Sequence, residues 1–504
     1  MSITKTSMKK YFPFFTIFIT ILFLSCSSKD TEQQYTNLRD IGSGRIGVVL
    51  GTTHDKFVSE NYKEANVLHF ESNPDLILAI KARQADAVVG DQNILKPYLR
   101  EDPELAVLEW GLFDQHLGFG FGDIKLRDNF NVYLNKLKES GKLKLIKEKW
   151  ENADDNTQLY EHEFTGKNGI LRIGITGVSI PFAYLSKGKY VGIDMELIYG
   201  FAASQGMKPE LHTMQFPSLI ASIVSEKVDI IGSPVTITEE RKKQILFSDS
   251  YYTSASIAVT LKRNISGYTS NEEVSNKTGF AKIKDSFYNN IIKEKRYLLL
   301  WDGFKVTFII SILAAIFGTL LGALICWMRM SRNKIIKTIA IIYINILRGI
   351  PQVVLLMLMF YVVLAKWSIG GVTVAVITFS MNFAAYASEM FRTSIQSIKR
   401  GQTEAGIAMG FSKIKTFLNI VMPQAIQRVI PIYKGEFIGL VKMTSIVGYI
   451  AVQDLTKASD IIRSRTFDAF FPLIVISIIY FLLAWLLTLL LDMVQINVAP
   501  KRNR

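Results

Sequence analysis

Five long apolar stretches in the last two fifths of the chain limit what it can fold into. They begin after Trp301 and lie near residues 304–328, 350–365, 372–391, 427–450 and 470–492. A helix needs about 20 mostly apolar residues to cross the hydrocarbon core of a bilayer. The fourth stretch is the weakest candidate, because Lys434, Glu436 and Lys442 interrupt it. We therefore expect an all-α polytopic transmembrane domain of about five helices over residues 298–504.

The net positive charge of the chain follows these stretches. Lysine and arginine give the chain a formal charge of +14, which by itself would also suit a nucleic-acid-binding protein. The cations cluster after the first stretch, between the third and fourth, and at the C-terminal end. Because cytoplasmic loops carry the excess of lysine and arginine, the first stretch should run inward. We expect a multi-pass membrane protein with its preceding half outside the cytoplasm, and no nucleic-acid partner.

The first 26 residues are typical of an export signal. Lys9 and Lys10 precede an apolar run over residues 11–25, which is too short to span a bilayer and is followed by small residues. Cys26 resembles the lipidated cysteine of a bacterial lipobox, although Phe23 stands where that pattern prefers Leu. The resemblance implies a lipoprotein, and an uncleaved signal anchor is the alternative. Both interpretations export the residues that follow.

Strands and helices alternate between the two apolar ends of the chain. Residues 171–175 are predicted to form a strand, a helix capped by Asp194 follows, and a helix at 216–224 precedes a strand at 228–231. Residues 46–90 repeat this order, and amphipathic helices are expected at 126–138 and 142–150. The alternation predicts βαβ units with parallel strands. A polar linker, 151–170, separates segments 46–150 and 171–262, and a tether, 263–297, leads to the membrane domain.

Both segments resemble parts of periplasmic proteins that bind polar amino acids. Residues 236–241, with the sequence TITEER, and residues 247–252, with the sequence FSDSYY, resemble the first lobe of such proteins. Residues 51–53 and 85–91 resemble the second lobe, and residues 119–150 resemble the helices that return to lobe one. The resemblance implies an α/β two-lobed fold like that of the periplasmic binding proteins.

The order of these parts is inverted relative to the family. Lobe two and the returning helices come first in this chain, at 46–150, and the start of lobe one comes second, at 171–262. Joining the former termini through residues 151–170 would give a circular permutant of one complete domain, because domain termini usually lie close together. Two decayed remnants of a tandem repeat are the alternative. The complementary content of the two segments favours the permutant.

The resemblance also implies a site for a zwitterionic amino acid. Arg241 would hold the carboxylate bidentately, and Asp91 would accept from the ammonium group across the hinge. Further contacts would come from Thr236, Thr53 and Phe216, and Pro234 replaces a small residue whose carbonyl faces the ammonium. Glutamine-like ligands are favoured only by this resemblance, and the sequence does not name the amino acid.

The membrane domain resembles the permeases of polar-amino-acid ABC importers. The segment from Glu404 to Pro423 is similar to their EAA loop, with Gly406 in place of the second Ala and Met422 in place of a usual Leu. The resemblance implies an inner-membrane location and a coupling helix that docks on an ATPase. We expect Glu404 near the N-terminus of that helix and Pro423 at its end; the coupling residues are Glu404, Ala405, Gly406, Gly410 and Pro423.

The chain carries no G-x-x-x-x-G-K-[ST] loop and no nucleophile-and-base constellation, so we expect a transport subunit and not an enzyme. Two cysteines, Cys26 and Cys326, and five scattered histidines predict no metal site and no cofactor. The expected partners are a separate homodimeric ABC ATPase and a second copy of this chain or a related permease. The alternatives are a permease with inactive binding remnants, a ligand-gated channel, or a ligand-responsive membrane sensor.

Overall fold

The computed structural model describes residues 34–154, 156–267, 279–367, 369–468 and 470–498. The predicted signal at 1–26, the lipidation site Cys26 and residues 268–278 of the predicted tether lie outside these ranges. The described residues form an α/β half, residues 34–267, followed by a helical half, residues 279–498, and the predicted fold class is confirmed. We call them the binding half and the permease half after the families that their sequences resemble.

Thirteen strands occur in the described residues, all in the binding half. They are β1 (Arg45–Val49), β2 (Asn66–Phe70), β3 (Ala87–Asp91), β4 (Leu105–Glu109), β5 (Asp114–Phe121), β6 (Ile170–Ile175), β7 (Val178–Ser179), β8 (Ala183–Ser186), β9 (Lys189–Val191), β10 (Lys208–Thr213), β11 (Ile230–Thr236), β12 (Leu246–Phe247) and β13 (Tyr252–Leu261). The α-helices of this half are α1 (Thr53–Asn61), α2 (Asn73–Lys81), α3 (Gln92–Glu101), α4 (Ile124–Glu139), α5 (Lys142–Glu151), α6 (Ile193–Ser204), α7 (Ser218–Val224) and α8 (Glu239–Lys242).

The main sheet runs in the order β10-β6-β11-β5-β13-β3-β1-β2. One lobe, called lobe 1, contains the parallel set β10-β6-β11, and the other, lobe 2, contains the parallel set β3-β1-β2. The long strands β5 and β13 lie between these sets and pair antiparallel with each other. They pass from one lobe to the other, so the chain crosses between the lobes at two adjacent strands.

Each lobe is held by its own apolar core. Fully buried aromatic side chains fill lobe 1 where α4 packs on the sheet, as shown by Phe119, Phe130 and Phe201. Aliphatic side chains of β1, β3 and α2 fill lobe 2, as shown by Ile46, Val88 and Ile77. Two separate cores joined by two strands leave the space between the lobes to polar side chains.

The predicted cap of the helix after residue 191 is wrong. The N-cap of α6 is Gly192, with φ of +125°, and Asp194 lies inside the first turn. Its side chain points into the core, where Oδ1 accepts a 2.5 Å hydrogen bond from the Tyr251 hydroxyl. Glycine is required at position 192 because a Cβ there would lie 2.2 Å from the Phe182 carbonyl oxygen. The predicted helix at 216–224 starts at Ser218, after Pro217, and the predicted strand at 228–231 starts at Ile230 and continues to Thr236.

The regular secondary structure of the permease half is helical throughout its described residues. Its helices are α9 (Gly279–Phe287), α10 (Tyr297–Arg329), α11 (Lys334–Gly349), α12 (Gln352–Leu358), α13 (Gly371–Gln396), α14 (Arg400–Ala408), α15 (Lys413–Thr416), α16 (Met422–Met443), α17 (Leu455–Thr466) and α18 (Phe471–Val498). Short π-helical turns extend α12 at Met359–Val363 and join α15 to α16 at Phe417–Val421.

Three of these helices, α10, α13 and α18, are long and apolar enough to cross a membrane. The number of candidate spans rises to five if two bent pairs each count as one span. The first pair, Lys334–Gly349 with Gln352–Val363, bends by 107° at Pro351, where a proline cannot continue the helical hydrogen bonding. The second pair, Lys413–Ile450 with Leu455–Thr466, bends by 59°.

Helices α10 and α13 pack closely because small residues line their contact. A Cβ at Gly322 would lie 2.7 Å from the Cβ of Ala387, closer than real side chains approach. Small residues at such contacts let helix backbones approach each other within a membrane. Of the charged residues that interrupt the fourth predicted stretch, Lys434 forms an ion pair with Asp492 of α18.

Candidate functional site

A cleft between the two lobes brings together residues from both ends of the binding half. All six residues predicted to bind substrate line it: Arg241, Thr236, Asp91, Phe216, Thr53 and Pro234. Thr53 and Asp91 belong to lobe 2, and the other four belong to lobe 1. The residues lie up to 188 positions apart in sequence, between Thr53 and Arg241, and converge because β5 and β13 join the lobes.

Arg241 is the buried cation of the cleft, with 8% of its surface exposed. It lies on the short helix α8, whose N-cap is Thr238. Its Nη1 donates to the Thr236 carbonyl oxygen at 2.9 Å, and its Nη2 donates to the Gly51 carbonyl oxygen of lobe 2 at 2.9 Å. Burial lowers its pKa to about 10, so the guanidinium stays charged at neutral pH. The Phe216 ring lies 5.6 Å from the guanidinium carbon and covers one side of it.

Asp91 is the buried anion of the cleft and ends strand β3. It caps helix α3, with Oδ1 accepting from the backbone N–H of Asn93 at 2.8 Å and from the Ser254 hydroxyl at 2.8 Å. Burial raises its pKa to about 6, and these hydrogen bonds oppose the shift because they favour the carboxylate. The carboxylate is therefore mostly ionised at pH 7 and can pair with a cation that enters the cleft.

Gln115 connects the two lobes and was not predicted from the sequence. It lies on β5 with 2% of its surface exposed. Its Oε1 accepts from the Thr53 hydroxyl of lobe 2 at 2.6 Å and from the Thr236 hydroxyl of lobe 1 at 2.7 Å. Both threonine protons predicted for the ligand are thus donated to Gln115 in this structure. Gln115 pairs with Ser254 on β13, and its amide nitrogen donates to Ser256 Oγ at 3.2 Å; no local sequence pattern indicates these contacts.

His54 was also missed, because a lone histidine carries little sequence information. It begins helix α1 with Thr53 and lies buried beside Gln115. Burial, and secondarily the charge of Arg241, lowers its pKa to about 3. The ring is therefore neutral, and its Nε2 accepts from the Gln115 amide nitrogen at 3.0 Å, since an amide N–H₂ can only donate. His54 adds no charge to the cleft.

Pro234 lies in β11 at an irregular point of the sheet. The register between β11 and β5 shifts between Ile231 and Val235. A proline cannot donate to the sheet, so it is tolerated in a strand at such irregularities. Pro234 lines the cleft at this irregular point.

The coupling segment differs from its predicted form. It is not one helix ending at Pro423: α14 ends at Ala408, and Gly410 with φ of +86° terminates it. Glycine after the last helical turn is a common helix stop, because it adopts positive φ without strain. Pro423 lies instead in the first turn of α16. Glu404 lies in the middle of α14 and not near its N-terminus, and Glu404 and Ala405 are exposed.

Gly406 is the buried residue of α14. A Cβ at this position would lie 2.6 Å from Thr416 Cγ2 and 2.8 Å from Ile420 Cδ1. The replacement of the family's alanine by glycine therefore allows close packing of α14 on the next helical segment. An exposed apolar cluster surrounds this turn and consists of Ile407, Met409, Phe411 and Ile414.

Comparisons with known proteins match both halves. The model of the family "Bacterial extracellular solute-binding proteins, family 3" matches residues 171–422, half of the chain. The match starts with β6 and continues into the permease helices, and residues 45–151 lie outside it.

The permease half is similar to amino-acid permeases of bacteria. The L-cystine transport system permease protein TcyB of Bacillus subtilis is 33% identical over 216 residues, 43% of this chain and 91% of the relative. The arginine transport system permease protein ArtQ of Bacillus subtilis is 32% identical, covering 37% of this chain and 86% of the relative. The putative glutamine transport system permease protein GlnP of Rickettsia typhi is 30% identical, covering 40% and 93%.

A crystal structure of an amino acid ABC transporter with histidines is 34% identical and covers 40% of this chain and 95% of the solved chain, with a TM-score of 0.38. The sequence relatives are ABC permeases, which are non-enzymatic transport subunits. The chain belongs to the amino-acid ABC transporter permeases, and its permease half is fused to a solute-binding domain of family 3.

Proposed function

We propose that this chain captures a polar amino acid outside the cytoplasm and passes it through its own permease half, driven by a separate ABC ATPase. One observation carries the proposal: a buried cation, Arg241, and a buried anion, Asp91, line one cleft from opposite lobes. A zwitterion is the ligand class that both charges suit at once. Ligand contacts on both lobes would stabilise their closed arrangement.

The carboxylate of the ligand would bind Arg241. A guanidinium has five N–H donors, and only two of them are committed to the carbonyl oxygens of Thr236 and Gly51. The ammonium would bind the cleft side of Asp91, where Oδ2 lies 3.5 Å from the Gln115 amide nitrogen. Phe216 would cover the ligand side chain. The named relatives transport glutamine, L-cystine and arginine, so we assign the class of polar amino acids, with glutamine-like ligands as the first to test.

We propose further that the binding half is a complete, circularly permuted domain. Its lobe 2 and returning helices occupy 46–150, its linker 151–170 and its lobe 1 171–262. Two observations support this proposal: both segments contribute strands to one sheet, and each core is filled. Decayed remnants would be expected to leave unpaired strands or unfilled cores.

Coupling to the ATPase is assigned to the segment from α14 to the start of α16. A rigid turn with exposed apolar side chains is suited to a groove of a nucleotide-binding subunit, and such a patch on a surface marks an interaction site. Glu404, Ala405, Gly406, Gly410 and Pro423 remain the proposed coupling residues. The distribution of lysine and arginine supports a cytoplasmic location for this segment and an extracytoplasmic one for the binding half. Two permease copies would surround the translocation path above two ATPase subunits.

Calorimetric titration of the purified full chain with each of the twenty amino acids tests the binding function. We expect one amino acid, or a small related set, to bind with one-to-one stoichiometry. Arg241→Ala should weaken that binding about 100-fold or more, because a charge-assisted bidentate contact is lost. The exposed Arg39→Ala is the control and should bind as the wild type does. Unchanged affinity in Arg241→Ala would show that the pocket lies elsewhere, and silence from all twenty ligands would favour remnants.

A further inference from the structure

A short helical segment precedes the first candidate membrane span. This segment, residues 283–296, which we call the collar, comprises the last turns of α9, a π-helical turn at Tyr288–Ile292 and a 3₁₀ turn at Lys293–Lys295. Helix α10 follows with 33 residues, which corresponds to a length of about 50 Å. A bilayer with both headgroup regions is about 40–45 Å thick. The start of α10, and the collar that leads into it, therefore match the level of the lipid headgroups.

One side of the collar is fixed to the permease helices. The buried Asn290 donates from Nδ2 to Asp468 Oδ2 at 2.8 Å, and the Thr466 hydroxyl donates to Asn290 Oδ1 at 2.7 Å. Ile291 is buried in an apolar cluster that includes Leu300 of α10. These contacts hold the collar against the ends of α10, α17 and α18, so the direction of its other side is set by the fold.

The other side of the collar exposes large apolar side chains. Ile283, Phe287, Tyr288 and Ile292 each have between 44% and 61% of their surface exposed. Residues four positions apart lie on the same side of a helix, which groups Ile283 with Phe287 and Tyr288 with Ile292. Exposed apolar side chains that are grouped in this way mark a surface that contacts a protein or a membrane.

The exposed apolar side of the collar continues into a helix that is suited to face lipid. The Phe287 ring meets the Phe471 ring nearly edge-on, with 6.5 Å between the ring centroids, at the start of α18. Helix α18 is long and apolar enough to cross a membrane and exposes Ile474 and Ile478 beyond that contact. The collar therefore extends the apolar outer surface of the membrane helices and does not form a separate patch.

The polar side chains of this region are those of a membrane–water interface. Aromatic rings that carry a polar group are exposed in the collar and in the first turns of α10, namely Tyr288, Tyr297 and Trp301. Tyrosine and tryptophan are enriched at this interface because one end of each ring is apolar and the other is wet. Three lysines and one acid of the collar are exposed, namely Lys284, Lys293, Lys295 and Asp285. Lysines beside exposed apolar side chains are typical of a helix that lies in the plane of the interface.

We propose that the collar is a membrane-surface anchor that lies in the leaflet on the side of the binding half. Its apolar side chains enter the boundary between headgroups and acyl chains, and its lysines contact anionic headgroups. Continuity with α18 and the excess of exposed lysines carry the proposal. The inference requires only that the permease half spans a membrane, and it is independent of the proposed substrate and of coupling. The competing occupants of this surface are a second copy of the chain and the binding half.

Photochemical capture in a bilayer identifies what covers the collar. The full chain carrying Tyr288→p-benzoylphenylalanine is reconstituted in vesicles of phosphatidylethanolamine and phosphatidylglycerol, irradiated and analysed by mass spectrometry. We expect a chain that has gained the mass of one phospholipid. Phe308→p-benzoylphenylalanine, at an exposed position of the α10 span, is the positive control, and Trp110→p-benzoylphenylalanine, at an exposed position of lobe 2, is the negative one.

Three outcomes of this experiment would overturn the proposal. The first is a lipid adduct at position 308 without one at position 288. The second is a product of twice the chain mass, which would show that a second copy covers the collar. The third is an internal crosslink from position 288 to a peptide of the binding half.

A lysine variant tests the contact with anionic headgroups. Lysine near an anionic lipid surface favours contact with that lipid about fivefold. In the chain with the photoreactive group at position 288, Lys295→Gln should therefore lower the ratio of phosphatidylglycerol to phosphatidylethanolamine adducts about fivefold. Lys125→Gln is the matched control, because this exposed lysine lies in the binding half, and it should leave the ratio unchanged. An equal ratio in both variants would overturn the assignment of the lysines to the headgroups.

Discussion

The ionisation of Asp91 should set the pH dependence of amino-acid binding. Burial raises its pKa in the cleft from 3.8 to about 6. Only the carboxylate form attracts an ammonium, so a proton competes with the ligand below pH 6. The apparent dissociation constant is then multiplied by one plus the ratio of protonated to ionised Asp91. From pH 7.5 to pH 4.5 this factor rises about 30-fold, since each pH unit below the pKa is tenfold.

The assay is calorimetric titration of the full chain with its amino acid at half-unit pH steps. Asp91→Asn should bind weakly, with an affinity that changes less than about threefold over the same range. The contributions of two other cleft groups to the pH profile must be distinguished from that of Asp91. His54 has a pKa near 3 and stays neutral throughout. Glu71 lines the cleft, and Glu71→Gln should keep the wild-type pH profile. A flat profile in the wild type, or a steep one in Asp91→Asn, would refute the assignment.

Two further predictions concern stability and coupling. Burial raises the pKa of Asp194 from 3.8 in the unfolded chain to about 7 in the folded protein. The folded protein therefore keeps this proton to higher pH than the unfolded chain does. The free energy of unfolding should fall as the pH rises from about 4 to 7, by roughly 4 kcal/mol at most. Thermal unfolding measured between pH 4 and 7 should show this fall in the wild type and not in Asp194→Asn. An equal fall in the variant would contradict the role of Asp194. Gly406→Ala should cost about 1–3 kcal/mol by overpacking against Thr416 and impair ligand uptake. Adding Thr416→Ala to this variant should restore its stability and its ligand uptake. A double variant that stays as impaired as Gly406→Ala would refute the packing argument.

The predicted cleft residues came together because each belongs to a short motif with its own chemistry. Arg241 and Asp91 could be predicted to line one cleft because both lie in segments that resemble the family, although Asp91 also has an ordinary structural role as the N-cap of α3. Gln115 could not be assigned, because it is held by residues of β13, a strand that starts 137 residues further along the chain. Contacts created by strand pairing carry no local pattern.

The errors in the prediction have similar causes. Asp194 follows a glycine at the start of a helix and has the residue type of an N-cap, yet its side chain is drawn inward by the Tyr251 hydroxyl. The resemblance to a family motif predicts one helix for the coupling segment, whereas Gly410, a residue type that commonly terminates helices, ends α14 in the structure. The charged residues of α17, Lys457, Asp460 and Arg463, look like a solvated helix face in the sequence, yet they are buried in the structure.

The proposed circular permutation of the binding half has a mechanical consequence for the fusion. In the unpermuted order the domain would end with the returning helices, so the chain would leave from lobe 1 after α5. In this chain it leaves from the lobe 2 end of β13, one of the two strands that cross between the lobes. The covalent connection at that point would keep the domain at an effective concentration on the order of millimolar at the permease, the value typical of short linkers. Because the connection starts from lobe 2, a rotation of lobe 1 about the crossing strands would leave the attachment point in place.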